Sequence, residues 1–508
     1  MKAYVVAGML AVAALTGCQS FDQVVASNLG QACDDLGRSA TAGISPAVAM
    51  DRRSNADPNK VKFSAQDILG SSGVGVGGQF AFLPETTIAK VNGSSPRLLR
   101  TGGAYVTSAR RVEVGSVPAC DIVGVILPEI STDPAVADRE NKVSNISFQL
   151  LVPLNWNSSS KGKLIQFGGG AFNGELFDLG KVLQNLNFWS GGKAPLANGY
   201  ALVTSDSGHR GKRTSLAFVK PPAPGYTVDQ QIEVRNFAGE HIKRVRDVAI
   251  AIVEQLSLAR PTRTYFVGVS TGGREALKAI SLFGVDYNGA IAVAPAWDVT
   301  AGAATGEGCT GLATDSEQFK KLVEATVPGG TQDEKLDNLC RVVELTWQPP
   351  ANLTAFGAAG GKLLIVQGTS DKIVPASKTD LYWQRFVAQT PEWDEFARYY
   401  HIPGFDHGFG YVPDFDLIGA LNRWVDDHSQ TPEVQGLTYK YALATSLPVL
   451  LWEGLFHGFS FPLNVHVQKE KQVCPYPSVS TLTGNAFNWR RAGECTLNHT
   501  GFHVTHPQ

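Results

Sequence analysis

An excess of charge of either sign is what this chain most plainly lacks. Its 44 lysines and arginines stand against 46 aspartates and glutamates, a formal net charge of −2 over 508 residues. That balance offers no electrostatic footprint for nucleic acid, which is held by clustered cations on phosphates. A second long apolar run is missing too. Outside the N-terminus the nearest is Leu447-Pro448-Val449-Leu450-Leu451-Trp452, far short of the roughly 20 residues that cross a bilayer. The seven cysteines include no C-x-x-C pair, so the usual spacing of a zinc site is absent. Three consecutive glycines occur at Gly168-Gly169-Gly170, but no Gly-Lys-Ser/Thr follows them, which excludes a P-loop. No internal repeat or low-complexity segment stands out. Neither a cofactor nor a metal is therefore expected.

What is present begins with Phe266-Val267-Gly268-Val269-Ser270-Thr271-Gly272-Gly273-Arg274. This is G-x-S-x-G with an apolar strand before it and the helix-forming Glu275-Ala276-Leu277-Lys278-Ala279-Ile280 after it. A strand that turns sharply into a helix lifts a serine hydroxyl above a sheet, and glycines flank it because the backbones pack closely there. The helix N-terminus then presents N–H groups to a developing oxyanion. A tight turn without chemistry is the plainer reading of the same pattern.

A serine of this kind needs an acid and then a histidine later in the chain. Lys362-Leu363-Leu364-Ile365-Val366-Gln367-Gly368 reads as a buried strand, and Asp371 lies on the loop past its end, where ligand sites form in open α/β sheets. Phe396 to Pro403 reads as the next strand, and His407 lies on the loop after it among small residues. His401, inside that strand, is the alternative base, and Asp406 the alternative acid. In the preferred assignment Ser270 attacks an ester carbonyl, His407 removes and returns the proton, and Asp371 holds the imidazole tautomer. Thr271 supplies one oxyanion donor. The second comes from the strand-to-glycine run Leu164 to Gly174, with Gly169 and Gly170 as candidates.

Several segments, in order, resemble the tannase and feruloyl esterase family of α/β-hydrolases. They are the glycine loop Gly168 to Gly174, the strand and loop Asn198 to His209, the elbow Gly268 to Arg274, Pro403-Gly404-Phe405-Asp406-His407, the helix-like Leu421-Asn422-Arg423-Trp424-Val425, and Cys474-Pro475-Tyr476-Pro477. The resemblance runs over roughly residues 30 to 496, and the elbow and the Cys474 to Pro477 segment are its most specific parts. It implies an α/β-hydrolase fold with a central, mostly parallel sheet and an inserted lid, and hydrolysis of esters of aromatic acids. Hydrolysis of aliphatic hydroxyacid oligomers such as 3-hydroxybutyrate esters, or non-catalytic ligand binding, are the other readings. The family normally places a disulfide-linked cysteine just before the nucleophile and just after the histidine; here those positions are Val269 and Gly408. Order and family likeness together favour the bridges Cys33–Cys120, Cys309–Cys340 and Cys474–Cys495, which implies an oxidising compartment.

The seventh cysteine has its own context. Lys2 precedes the apolar run Val5 to Ala14, and Leu15-Thr16-Gly17-Cys18 reads as a lipobox, so residues 1–17 are expected to be a signal peptide and Cys18 a lipidation site. The expected location is the bacterial cell envelope, on the outer membrane or the periplasmic face, with the membrane engaged through that anchor. The remaining organisation is a mostly polar N-terminal entry segment 18–62, a first part of the core 63–299 that starts with antiparallel or mixed strands, a lid insertion 300–355, and a second part of the core 356–508. The lid is short for the family. Its Asp315, Asp333 and Asp337 are spread out rather than set as D-x-D-x-D-G, so no calcium is expected there. A short lid suits bulky or oligomeric esters. Phe172, Trp297, Trp347 and Phe409 are candidate apolar walls or plain core. Asp206 and His209 are candidate supports or substrate contacts, and His241 a helix residue or a contact.

Overall fold

The computed structural model describes residues 21–43, 82–83, 85–91, 99, 101–127, 145–156, 162–209 apart from short stretches between 172 and 192, 233, 235–298, 348–402, 407, 415–433, 435, 438–441, 469–472, 475–476, 478–480 and 495–497. Its centre is one ten-stranded sheet. Strands β1 (Phe82–Leu83), β2 (Ala104–Val114), β3 (Val117–Ile126) and β4 (Ile146–Pro153) form an antiparallel run. Next come β5 (Lys163–Phe167), β6 (Tyr200–Ser205), β7 (Arg263–Val269), β8 (Gly289–Val293), β9 (Lys362–Gly368) and β10 (Ala397–Ile402). In space the order is β1-β2-β3-β4-β6-β5-β7-β8-β9-β10, antiparallel as far as the β4–β6 pair and parallel beyond it. The antiparallel beginning and the alternating βα second half agree with the sequence patterning.

Both faces of the parallel part are covered, which explains its unbroken apolar strands. On β7, Tyr265, Val267 and Val269 point into one cluster with Trp424 and Leu421 of helix α7 (Leu417–Asp426). Phe266 points the other way, among Ala276, Leu277 and Ile280 of α4 (Thr271–Leu282) and Tyr382 and Trp383 of α6 (Ala376–Gln389). The short α5 (Thr354–Ala358) buries Phe356 in the same layer. Residues 299–347 lie outside the described residues, and Trp347, Cys309, Cys340 and the acids of the lid with them.

The N-terminal segment departs from its polar appearance. Residues Phe21–Gly43 form helix α1, and Leu29, Cys33, Leu36 and Ala40 are buried in one cluster with the antiparallel strands, the short α2 (Glu85–Val91) and α3 (His241–Ser257). Their spacing of four, three and four residues lays them on one stripe of a helix; the polar residues between them face away and dominate the composition. The helix is fastened by the Cys33–Cys120 disulfide, which closes a separation of 87 residues. Removing it by a Cys33→Ser, Cys120→Ser double variant is expected to cost about 4 kcal/mol of unfolding free energy through the freer unfolded chain. Urea unfolding of both proteins measures this; equal midpoints would mean that packing alone holds α1. Of the other expected bridges, Cys495 starts the short β-ribbon strand Cys495–Leu497, while Cys474 lies outside the described residues, as does Cys18.

At the far edge, Pro475 bridges to Tyr400 and the Tyr476 N–H donates to the Tyr399 carbonyl at 2.7 Å. The Cys474 to Pro477 motif thus supplies residues that occupy the exposed edge of β10, a position proteins tend to protect.

Candidate active site

The elbow has the geometry that the glycines predict. Ser270, between β7 and α4, has φ 60° and ψ −122°, a region that costs a non-glycine residue about 1–3 kcal/mol. It persists because the turn is pinned on both sides. The Ser270 N–H donates to Val293 at 3.0 Å, and the Ser270 carbonyl accepts from Ala296 at 2.9 Å and from Arg274 at 3.0 Å. Close approach fixes the glycines: a Cβ on Gly268 would lie 2.3 Å from the Gly272 carbonyl oxygen, and one on Gly272 would lie 2.7 Å from that of Gly169. A Gly272→Ala variant must therefore push the glycine loop away from the elbow. It is expected to lose about 1–3 kcal/mol of stability, measured by thermal unfolding, and most of any ester turnover; an unshifted midpoint would show that the loop yields freely.

The same bonding continues across the sheet. Ala294 N–H donates to Val366 of β9 at 2.8 Å, and Thr369 N–H to Ile402 of β10 at 3.1 Å. The C-terminal ends of β7, β8, β9 and β10 are thus stitched together, and the loops carrying Ser270, Asp371 and His407 leave from that one edge. Val269, where the family's cysteine would stand, is buried among Val293, Val366 and Ile402. Apolar packing against the neighbouring strands holds the residue before the nucleophile. Gly408 lies outside the described residues.

Asp371 and His407 meet directly. His407 Nδ1 is 2.8 Å from Asp371 Oδ2, and both residues are buried, at 8% and 6% exposure. A carboxylate facing Nδ1 selects the tautomer with its proton there and leaves Nε2 as the basic nitrogen. The other oxygen, Oδ1, accepts the Ile373 and Val374 N–H groups, each at 2.8 Å. Burial pushes the Asp371 carboxyl up, but the His407 hydrogen bond, the Val374 amide, the His407 charge and the Ile373 amide outweigh it and hold it below the usual carboxylate range. The alternative base His401 is engaged elsewhere: its Nε2 is 2.8 Å from Asp380 on α6 and 2.8 Å from the Tyr399 hydroxyl. Asp406 lies outside the described residues.

The glycine loop leaves β5 beside the elbow. Here the geometry separates the two oxyanion candidates, because the Gly169 N–H is donated to the Glu275 carboxylate at 2.8 Å. The Thr271 hydroxyl donates to the Ala171 carbonyl, joining the loop to the start of α4. Glu275, fully buried on α4, is the residue that sequence reading passed over. It also accepts from Asn173 Nδ2 at 2.6 Å and lies 3.5 Å from Nε2 of His241. His241 is a buried helix residue whose Nδ1 is 2.6 Å from the Asn236 carbonyl, and burial lowers its pKa below the ordinary histidine value.

The candidate pocket residues divide. The Asp206 carboxylate accepts the Ser147 N–H at 3.0 Å and the Gly208 N–H at 2.9 Å, so it builds the loop after β6. His209 is buried edge-on to Phe237, 5.2 Å between ring centres. Trp297 is core: it packs on Tyr382 and donates its indole N–H to the Lys378 carbonyl at 2.7 Å. Phe172 and Phe409 lie outside the described residues. Among the described residues no group of three or more His, Cys, Asp or Glu side chains is placed to hold a metal ion.

The sequence of this site has a family. The model described as tannase and feruloyl esterase matches residues 120–309 and 303–490, well over half of the chain. The protein belongs to the tannase and feruloyl esterase family. An uncharacterized esterase of Agrobacterium fabrum is 35% identical over 199 residues, 38% of this chain and 31% of that protein. Mono(2-hydroxyethyl) terephthalate hydrolase of Piscinibacter sakaiensis is 26% identical over 136 residues, 26% of this chain and 19% of that one. The matched stretches span less than one third of either relative. Feruloyl esterase B from Aspergillus oryzae superposes with a TM-score of 0.55 at 15% identity, over 81% of this chain and 100% of that one. Tannin acyl hydrolase from Aspergillus niger gives 0.54 at 14%, over 82% and 96%. The family's structures therefore share this chain's α/β-hydrolase fold.

Proposed function

We propose that this family member is a carboxylic ester hydrolase that works through an acyl-enzyme on Ser270, with esters of aromatic acids as substrates. The observation that carries the reading is the buried Asp371–His407 pair on the sheet edge from which the strained Ser270 elbow also rises. Because Nδ1 of His407 is committed to Asp371, Nε2 is the nitrogen that takes the Ser270 proton as Oγ attacks the ester carbonyl. His407 then returns that proton to the leaving alcohol. In the second half, water attacks the acyl carbonyl with His407 again as base, and Ser270 is released. The oxyanion donors are the N–H groups of Thr271 and Gly170, since the Gly169 N–H is already given to Glu275. The aromatic acyl preference leans on the feruloyl esterases and the terephthalate monoester hydrolase among the relatives.

The test is turnover by purified protein of methyl ferulate, methyl gallate, a terephthalate monoester and hydroxybutyrate dimers, with Ser270→Ala as control. Serine-dependent turnover of an aromatic ester supports the reading. Turnover of the aliphatic dimers alone keeps the chemistry and moves the substrate class, and no turnover at all returns the site to ligand binding. The lipobox around Cys18 supports export and anchoring to the bacterial envelope. Intact mass of the native N-terminus checks this: a chain starting at Cys18 with added acyl mass agrees, and an unmodified later start refutes it.

A further inference from the structure

We propose that Glu275 is a positioning residue that sets the oxyanion loop, clamping Gly169 and Asn173 so that the Gly170 N–H between them is held ready for the developing charge. The inference rests on the esterase reading of Ser270. Glu275 lies one turn into the helix that starts at the nucleophile, and its side chain is 1% exposed. A carboxylate so buried is costly unless its oxygens are satisfied. Here both are spent on the loop: Oε2 accepts from Gly169 at 2.8 Å and Oε1 from Asn173 Nδ2 at 2.6 Å. Among the described residues the other charged or titratable groups near it are Arg274, at 3.8 Å, His241, at 3.5 Å, and Lys278, whose ammonium also feels the Glu275 charge.

The loop needs such a clamp. Ala171 and Asn173 have φ of 52° and 55°, left-handed values that side chains disfavour. Residues in these regions persist only where surrounding bonds over-determine them. Beside the loop's own Asn173 N–H to Gly170 carbonyl bond at 3.0 Å, four bonds to groups outside it do so: Glu275 on Gly169, Thr271 on Ala171, Glu275 on Asn173, and the Gly174 N–H on the Asp206 carbonyl at 3.0 Å. Two of the four come from one carboxylate. Among the described residues the Gly170 N–H carries no such bond. The clamp lies on α4, which starts at the residue after the nucleophile, so an error in one displaces the other.

The test uses a matched pair of substrates, an aromatic ester and its thionoester, whose sulfur accepts hydrogen bonds poorly and so gains less from an oxyanion hole. Glu275→Gln keeps shape and one acceptor but loses the charge; kcat on the oxygen ester is expected to fall about ten-fold, with KM within about three-fold and the thionoester nearly unaffected. Asn173→Asp alone sets two carboxylates face to face, and kcat on the oxygen ester is expected to fall about 100-fold or more. Adding Glu275→Gln to Asn173→Asp restores a donor–acceptor pair and should recover about ten-fold of that loss. Equal slowing of both esters, no recovery in the double variant, or unchanged kcat in Glu275→Gln overturns the proposal. Glu275→Gln decides alone if Asn173→Asp does not fold. Wild-type turnover that survives Ser270→Ala is a different failure, since it removes the esterase reading itself.

Discussion

Ser270→Ala is expected to lower kcat/KM on an aromatic ester by about 10⁴- to 10⁶-fold while the protein stays folded. The hydroxyl is the only part of the side chain removed, and no hydrogen bond that builds the elbow depends on it. The elbow is held by the main chain of Ser270 to Val293, Ala296 and Arg274, all of which alanine keeps. Residual rate would come from binding and the oxyanion donors, which remain in place. A companion variant separates chemistry from strain. Ser270→Gly relieves φ 60°, ψ −122°, because glycine adopts positive φ without a Cβ clash. It should be equally inactive yet melt no lower than Ser270→Ala. Steady-state kinetics and thermal unfolding on the three proteins make the comparison. A Ser270→Ala protein within ten-fold of wild type would remove Ser270 as nucleophile, and a glycine variant melting well below the alanine one would show that the elbow stores no strain.

How much of this was legible in the sequence depends on whether a signal was local. The elbow was legible because its parts are contiguous: an apolar strand, two close-packed glycines and a helix start. Asp371 and His407 were legible because each follows a strand by a few residues, and βα order puts such loops on one sheet edge. His407 is preferred over His401 by pattern, because His401 falls inside a strand; the structure adds Asp380, which engages His401 Nε2 at 2.8 Å. Glu275 was invisible for a physical reason. Within its helix it is an ordinary helix former, and its partners lie 106 and 102 positions earlier. No periodicity encodes a contact of that range. Helix α1 was missed because its apolar stripe, Leu29, Cys33, Leu36 and Ala40, is thin against the polar residues between. Its partner Cys120 was suggested by family likeness and chain order, not by spacing.

Asp371→Asn should be nearly as damaging as loss of the serine, about 10⁴-fold in kcat/KM, and the geometry says why. The Ile373 and Val374 N–H groups both point at Oδ1. An asparagine must place its carbonyl oxygen there, since two donors cannot face an NH₂ group. Its amide nitrogen then faces Nδ1 of His407, where Asp371 Oδ2 now sits at 2.8 Å. A donor at that point selects the tautomer with the proton on Nε2, and the nitrogen meant to accept the Ser270 proton already carries one. Stability should respond in a second, separable way. The Asp371 carboxyl is held below its ordinary value in the folded protein, so its share of stability is fully present above about pH 4, the unfolded value. It is lost as pH falls through the lower folded value. The asparagine variant lacks that share at neutral pH and so should show a shallower loss of stability below about pH 4. Urea midpoints at several acidic pH values, beside kcat/KM at neutral pH, test both halves. An active variant would mean that Asp371 does not set the tautomer; parallel acid profiles would mean that its ionisation is not coupled to the fold.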